Sequence, residues 1–139
     1  MINFQFDGGS YGYGFLKYNE FGFVNHYEFN TINATNNTNE FQGLILCLRH
    51  IKNNENYRLQ NIHIQGDSQI IIKIANKINQ PRKTHLIHLN SSAQYLIKEI
   101  KKNHINLKIS YIPRKFNDAH YLTSKSAKFQ DFEKLYSMQ

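Results

Sequence analysis

The sequence predicts an α/β domain built on a five-stranded mixed sheet, its first three strands antiparallel and helices packed on both faces. Three observations carry this. The first third alternates aromatic and polar residues between glycine-marked turns, which is the pattern of short strands joined by tight links. The apolar period then lengthens to that of a helix at Phe41, Leu44, Ile45 and Leu48. Beyond that point strand-like and helix-like segments alternate, and a helix between two strands of one sheet permits parallel neighbours.

Taken in order, strands are expected at 3–10, 13–18 and 21–29 as an antiparallel meander, and a helix at 37–50 after an Asn/Thr-rich stretch. Residues 59–65 alternate again and end at Gly66-Asp67, where a short apolar helix begins at Ile70. The stretch 76–88, with Lys77, Pro81, Arg82 and Lys83, has no clear period and reads as a basic loop. Ser91 with Gln94 forms a capping-box pattern, so the next helix is expected to start there, with Ala93, Leu96, Ile97 and Ile100 as its apolar stripe. A strand at 107–111 stops before Pro113, and a final helix is expected over 119–136 with a polar interruption at 123–126.

At 139 residues the chain suits one domain over 1–139. Its 40% hydrophobic and 19% charged content is that of a folding globular chain, not a disordered tail. The net charge of +7 comes from Lys and Arg and suits a polyanionic partner, although a solubilising surface charge gives the same number. The lone cysteine, Cys47, lies in an apolar run, which excludes a disulfide framework and suits a buried thiol in a reducing compartment. The amino-terminal residues lack a signal-peptide pattern and no apolar run approaches the roughly 20 residues that cross a bilayer. A soluble, intracellular monomer without membrane partners is the expectation.

Four aspartates occur in the chain, at 7, 67, 118 and 131. Asp7 sits inside an aromatic strand, where a bare carboxylate is costly unless paired or metal-bound; Asp67 closes another strand, and Glu40 opens the first helix. Carboxylates from two strand ends and a helix start can converge, and an oxygen-only ligand set suits hard divalent cations such as Mg²⁺ or Mn²⁺. Two such ions about 4 Å apart can activate an attacking water and stabilise a departing oxygen in phosphodiester cleavage. Plainer readings stay open at this stage: Asp7 and Asp67 as Asx-turn residues, and Glu40 as the partner of an Asn37 helix cap.

In sequence order, Phe6-Asp7-Gly8-Gly9-Ser10, Thr35-Asn36-Asn37-Thr38-Asn39-Glu40 and Gly66-Asp67-Ser68-Gln69 resemble three motifs of the type 1 ribonuclease H family, in the short form also found as reverse-transcriptase-like domains in plants and some prokaryotes. Ile112-Pro113-Arg114 and Ala119 to Leu122 resemble its last strand and final helix entry, so the resemblance spans nearly the whole chain. It implies metal-dependent cleavage of the RNA strand of an RNA–DNA hybrid, leaving 3′-hydroxyl and 5′-phosphate ends. It also implies Asp7, Glu40 and Asp67 as metal ligands, and Asn36, Asn37 and Gln69 against the RNA strand in the minor groove. Thr35, with backbone amides at Gly8 and Gly9, would hold phosphate.

The sequence departs from the family where a fourth carboxylate is expected. Ala119-His120-Tyr121-Leu122 carries His120 at that place, and Asp118 is an alternative in a shifted register. His120 is favoured because Ala119 and Leu122 set the register through packing. A neutral imidazole is a poorer Mg²⁺ ligand than a carboxylate, so weakened Mg²⁺ activity and relatively better Mn²⁺ activity are expected. Arg82, Lys83, Arg114 and Lys115, with Lys77, are the candidates for gripping phosphates. The rival expectation is a catalytically weakened module that uses the same groove to bind hybrid or double-stranded RNA.

Overall fold

Phe4 and Phe6 alternate with Asn3 and Gln5, a period that only extended backbone can divide between two faces. In the computed structural model, which describes residues 1–32 and 35–123, this segment is β1, Ile2–Gly8. It is followed by β2 (Gly12–Tyr18), β3 (Val24–Thr31), α1 (Asn36–Lys52), β4 (Asn61–Gly66), α2 (Gln69–Ala75), α3 (Thr84–Lys102), β5 (Asn106–Tyr111) and the helical residues His120–Thr123, α4. The five strands form one sheet in the order β3-β2-β1-β4-β5. β1 and β3 flank β2 antiparallel, while β4 runs parallel to both β1 and β5, which is the mixed sheet the sequence predicts.

Each parallel pair needs a crossover. α1 supplies the one into β4, and α2 with α3 the one into β5. Both crossovers step in the same direction across the sheet, so connections of one hand set their helices on one face. The main core lies there: Phe4, Phe6, Ile62 and Ile64 from the sheet meet Phe41, Leu44, Leu48 and Ile51 of α1, Ile71 of α2, and Ala93 and Ile100 of α3. Cys47 is buried in the same core as a free thiol. On the opposite face Leu16 and Val24 pack with Ala119 and Leu122, so α4 closes the second side.

Two boundaries differ from the sequence reading, each for a physical reason. β3 starts at Val24, not Phe21, because Asn19 Oδ1 accepts the amides of Phe21 and Phe23 at 2.9 and 3.0 Å and Gly22 turns the chain at φ +83°. α3 starts at Thr84, seven residues before the apparent capping box. Leu86 is buried and Leu89 partly so, extending the stripe by two turns, while Gln94 Nε2 donates to Ala75 O and Asn90 Oδ1 at 3.0 and 3.1 Å instead of capping. The final helix expected over 119–136 is described as far as Thr123, and the remainder lies outside the described residues.

The end of β1 meets the start of α1 backbone to backbone. A Cβ built on Gly8 would lie 2.1 Å from the Asn39 carbonyl carbon and 2.2 Å from the Glu40 nitrogen, whereas one on Gly9 would come no nearer than 3.4 Å, to Thr123 O. Asn39, fully buried, reinforces the joint by donating Nδ2 to Gly9 O at 2.5 Å. Gly8→Ala is therefore expected to lower the unfolding free energy by about 3 kcal/mol, the upper range of overpacking costs. Gly9→Ala should stay within about 0.5 kcal/mol. Urea unfolding of the two variants checks the contrast.

Candidate metal centre

The joint between β1 and α1 carries the chemistry. Asp7 lies next to the end of β1, Glu40 sits in the first turns of α1, and Asp67 follows β4, which pairs with β1. One carboxylate oxygen from each lies within 4.8 Å of the other two. These groups are shielded: Asp7 is 4% exposed and the Asp67 side chain 1%.

Burial disfavours the charged forms. It pushes the Asp7 carboxyl up to about 6, and the neighbouring Asp67 charge adds to the rise while Thr123, His120 and the Gly8 amide oppose it. Burial likewise pushes Glu40 up to about 7, against a hydrogen bond from Ser68, with Asp7 and Asp67 raising it further. Ser68 also caps α2, accepting from Ile71 N at 3.3 Å.

Neutral donors fix the carboxylates. The Thr123 hydroxyl donates to Asp7 Oδ2, and Asn117 Nδ2 donates to Asp67 Oδ2 at 3.1 Å and Phe6 O at 2.9 Å. The other Asp67 oxygen, Oδ1, is buried and has no hydrogen-bond partner among the described residues. An acceptor in that condition costs on the order of 1–3 kcal/mol or more, and a cation would satisfy it. Three carboxylates and no sulfur form a hard donor set suited to Mg²⁺ or Mn²⁺. The residues present fit a divalent cation held by Asp7, Glu40 and Asp67.

Around them is a cleft of 160 Å³ lined by Asp7, Gly8, Gly9, Ser10, Asn36, Glu40, Arg114, His120 and Thr123. His120 Nδ1 stands 3.6 Å from Asp7 Oδ2. Asp118 faces elsewhere: its Oδ2 accepts from the Tyr18 hydroxyl and its amide donates to Gln5 Oε1 at 2.7 Å. Arg114 Nε is 3.8 Å from Asp67 Oδ2 and its side chain is 67% exposed, so the pair contributes little stability and leaves the guanidinium free toward the cleft mouth.

The remaining residues singled out in the sequence are more dispersed. Thr35 caps α1, accepting from Thr38 N at 3.4 Å, so Glu40 is not the partner of an Asn37 cap. Asn37 is half-buried on α1 and Gln69 is exposed at the first position of α2. Lys115 Nζ lies 5.0 Å from the Phe116 ring centroid. Arg82 and Lys83 line a separate hollow with Ile70, Ile74 and Leu86. Sequence reasoning missed Asn117, Thr123 and Ser68 as supports of the acids. Asn117 and Asp67 are fifty residues apart, and a neutral side chain in a loop carries no local signal of such a contact.

Comparison with known proteins follows the same line. The family model described as "Reverse transcriptase-like" matches residues 21–127, a stretch containing Glu40 and Asp67. No curated protein matches the chain. Among solved structures it is similar to the RNase H1 of the halophilic archaeon Halobacterium salinarum NRC-1, with 24% identity over 85% of this chain and 89% of that one and a TM-score of 0.70. The N-terminal RNase H domain of rv2228c from Mycobacterium tuberculosis is 22% identical over 91% and 98% of the two chains, with a TM-score of 0.76. LC11-RNase H1, isolated from compost by a metagenomic approach and solved in complex with an RNA/DNA hybrid, is 20% identical over 91% and 96%, with a TM-score of 0.78. With the strand order, the acid cluster at the joint of β1 and α1, and a family match over most of its length, the chain belongs to the reverse transcriptase-like family and has the ribonuclease H fold.

Proposed function

We propose that this protein is a metal-dependent endoribonuclease that cuts the RNA strand of an RNA–DNA hybrid. The observation that carries the reading is the meeting of Asp7, Glu40 and Asp67 within 4.8 Å, with one Asp67 oxygen buried and unpartnered among the described residues. Asp7, Glu40 and Asp67 are the residues that would hold the divalent ions. Bound Mg²⁺ or Mn²⁺ would supply an activated water and charge stabilisation of the departing oxygen.

The chain's own part is to hold and select. Thr123, Asn117 and Ser68 fix the carboxylate orientations. Asn36, Asn37 and Gln69 offer neutral amides, the groups suited to reading 2′-hydroxyls in a minor groove. Thr35 and the amides of Gly8 and Gly9 suit a backbone phosphate, while Arg114 and Lys115, and farther out Arg82 and Lys83, supply positive charge along its path. The hybrid bound by LC11-RNase H1, a relative of the same fold, supports this choice of partner.

A second reading is favoured by one feature. His120, not a carboxylate, faces Asp7, which removes one negative charge from the place where a second cation would be completed. A weakened or inactive module that holds hybrid or double-stranded RNA in the same cleft fits that substitution.

Incubation of a labelled hybrid separates the two readings. Cleavage to 3′-hydroxyl and 5′-phosphate ends is expected, and Asp7→Asn should slow it by at least about 100-fold, equivalent to roughly 3 kcal/mol of transition-state stabilisation. Binding without cutting in any divalent cation would establish the module instead. Mn²⁺ is expected to support faster turnover than Mg²⁺, and His120→Asp to raise the Mg²⁺ rate; a metal titration with Mg²⁺ equal or superior in the unaltered chain would contradict this. A third expectation concerns the chain in EDTA. The folded-state values of Asp7 and Glu40 lie above their ordinary ones, so the folded state holds more protons and stability falls as pH rises from about 4 to about 7. Asp7→Asn should stabilise the metal-free protein by up to about 3 kcal/mol at pH 8, with the gain shrinking toward pH 4 in urea unfolding.

A further inference from the structure

At the far end of α1, β3 and the helix bring together a second set of ligating atoms, from His26, Glu28 and His50. His50 lies ten positions beyond Glu40 on the helix, or about 15 Å along the axis. His26 and Glu28 are two apart on β3 and so leave the same side of the sheet, opposite Lys17 and Phe15 of β2. His50 descends onto them from the last turn of α1.

Glu28 Oε2 is 3.1 Å from His26 Nε2 and 3.3 Å from His50 Nδ1. The two imidazoles stack with centroids 4.6 Å apart and planes 21° apart. Bond lengths of about 2.0–2.1 Å at a tetrahedral Zn²⁺ set neighbouring ligand atoms about 3.3 Å apart. The carboxylate-to-imidazole separations already match that spacing.

The His50 ring is also oriented as a ligand requires. Its second nitrogen, Nε2, is hydrogen-bonded to the Tyr57 hydroxyl at 2.9 Å, which leaves Nδ1 directed at Glu28. Metal-bound imidazoles are held through their other nitrogen in this way. Phe4 and Phe15 pack against the same ring, with centroids 5.9 and 5.2 Å away. Glu28 and His26 keep side-chain exposures of 40% and 39%, so an ion can enter from solvent. Lys17 faces the group from β2, its ammonium 3.3 Å from Asn25 Oδ1.

We infer that His26, Glu28 and His50 form a binding site for a borderline transition-metal ion, Zn²⁺, that ties β3 to the carboxyl-terminal end of α1. Two imidazoles and one carboxylate discriminate against Mg²⁺, which prefers oxygen ligands and keeps its waters. The fourth position of a tetrahedral ion would face solvent. The site stands apart from the carboxylate cluster and does not depend on the activity proposed for it.

Calorimetric titration with ZnCl₂ in excess Mg²⁺ tests this, using an Asp7→Asn/Asp67→Asn chain so that zinc at the acid cluster does not obscure the result. That background removes the Asp7 charge that burial disfavours, and circular dichroism verifies folding of each variant. One Zn²⁺ per chain is expected, with affinity reduced at least about tenfold by His26→Gln and by Glu28→Gln, and about tenfold by Tyr57→Phe. Zinc should also raise the melting temperature of the background chain and not that of its His26→Gln derivative. Absence of zinc binding to the background chain, or an affinity unchanged in both His26→Gln and Glu28→Gln, would overturn the inference.

Discussion

The closest backbone approach between the sheet and its first helix governs the molecule. Gly8 lets the first turns of α1 come to rest on the end of β1, and Gly43, whose added Cβ would lie 2.6 Å from Asp7 O, does the same one turn later. Side chains at these two places would hold the helix off the strand. Because they are missing, Glu40 reaches Asp7, and the parallel pairing of β4 with β1 delivers Asp67 to the same point. The core is arranged to keep this contact: Phe41, Leu44 and Leu48 press the helix onto Phe4 and Phe6 of the central strand.

That geometry creates an electrostatic cost and a means of relieving it. Buried carboxylates repel one another and lose hydration, which is why Asp7 and Glu40 are both pushed upward. Among the described residues no close, buried arginine or lysine neutralises them; Arg114 stands at 3.8 Å from Asp67 Oδ2 and largely in solvent. They are met by a hydroxyl and an amide, and one Asp67 oxygen is left without a partner among the described residues. An arrangement that keeps its acids oriented but not neutralised stores a demand for positive charge at one place, and such local strain is offset by the packing around it.

α1 has different chemistry at its two ends. Its second turn presents the Glu40 carboxylate to the carboxylates of Asp7 and Asp67. Its carboxyl terminus, with Arg49, His50 and Lys52 in the last turn, presents an imidazole to a carboxylate and a second imidazole on β3. Hard and borderline donors are thus separated by the length of one helix and bear on the same sheet. The same rigid element that positions the acid cluster also positions the histidines.

Much of this was determined by the sequence alone. Alternation in the first strands, the change of period at Phe41, and the motifs around Asp7, Glu40 and Asp67 are local patterns, and local patterns follow from side-chain periodicity and turn chemistry. They sufficed for the element order and the mixed sheet, and they singled out the three acids that the fold brings together. Boundaries set by distant contacts were not legible: Gln94 reads as a cap until Ala75 O is found beside it, and Phe21 reads as strand until Asn19 is seen to turn the chain. Only the tertiary structure decided that His120 stands beside Asp7 while Asp118 turns to Tyr18, that Asn117 supports Asp67, and that His26, Glu28 and His50 meet. Each of those outcomes depends on where separate elements come to rest against one another, and residue spacing along the chain does not encode that position until the core has packed.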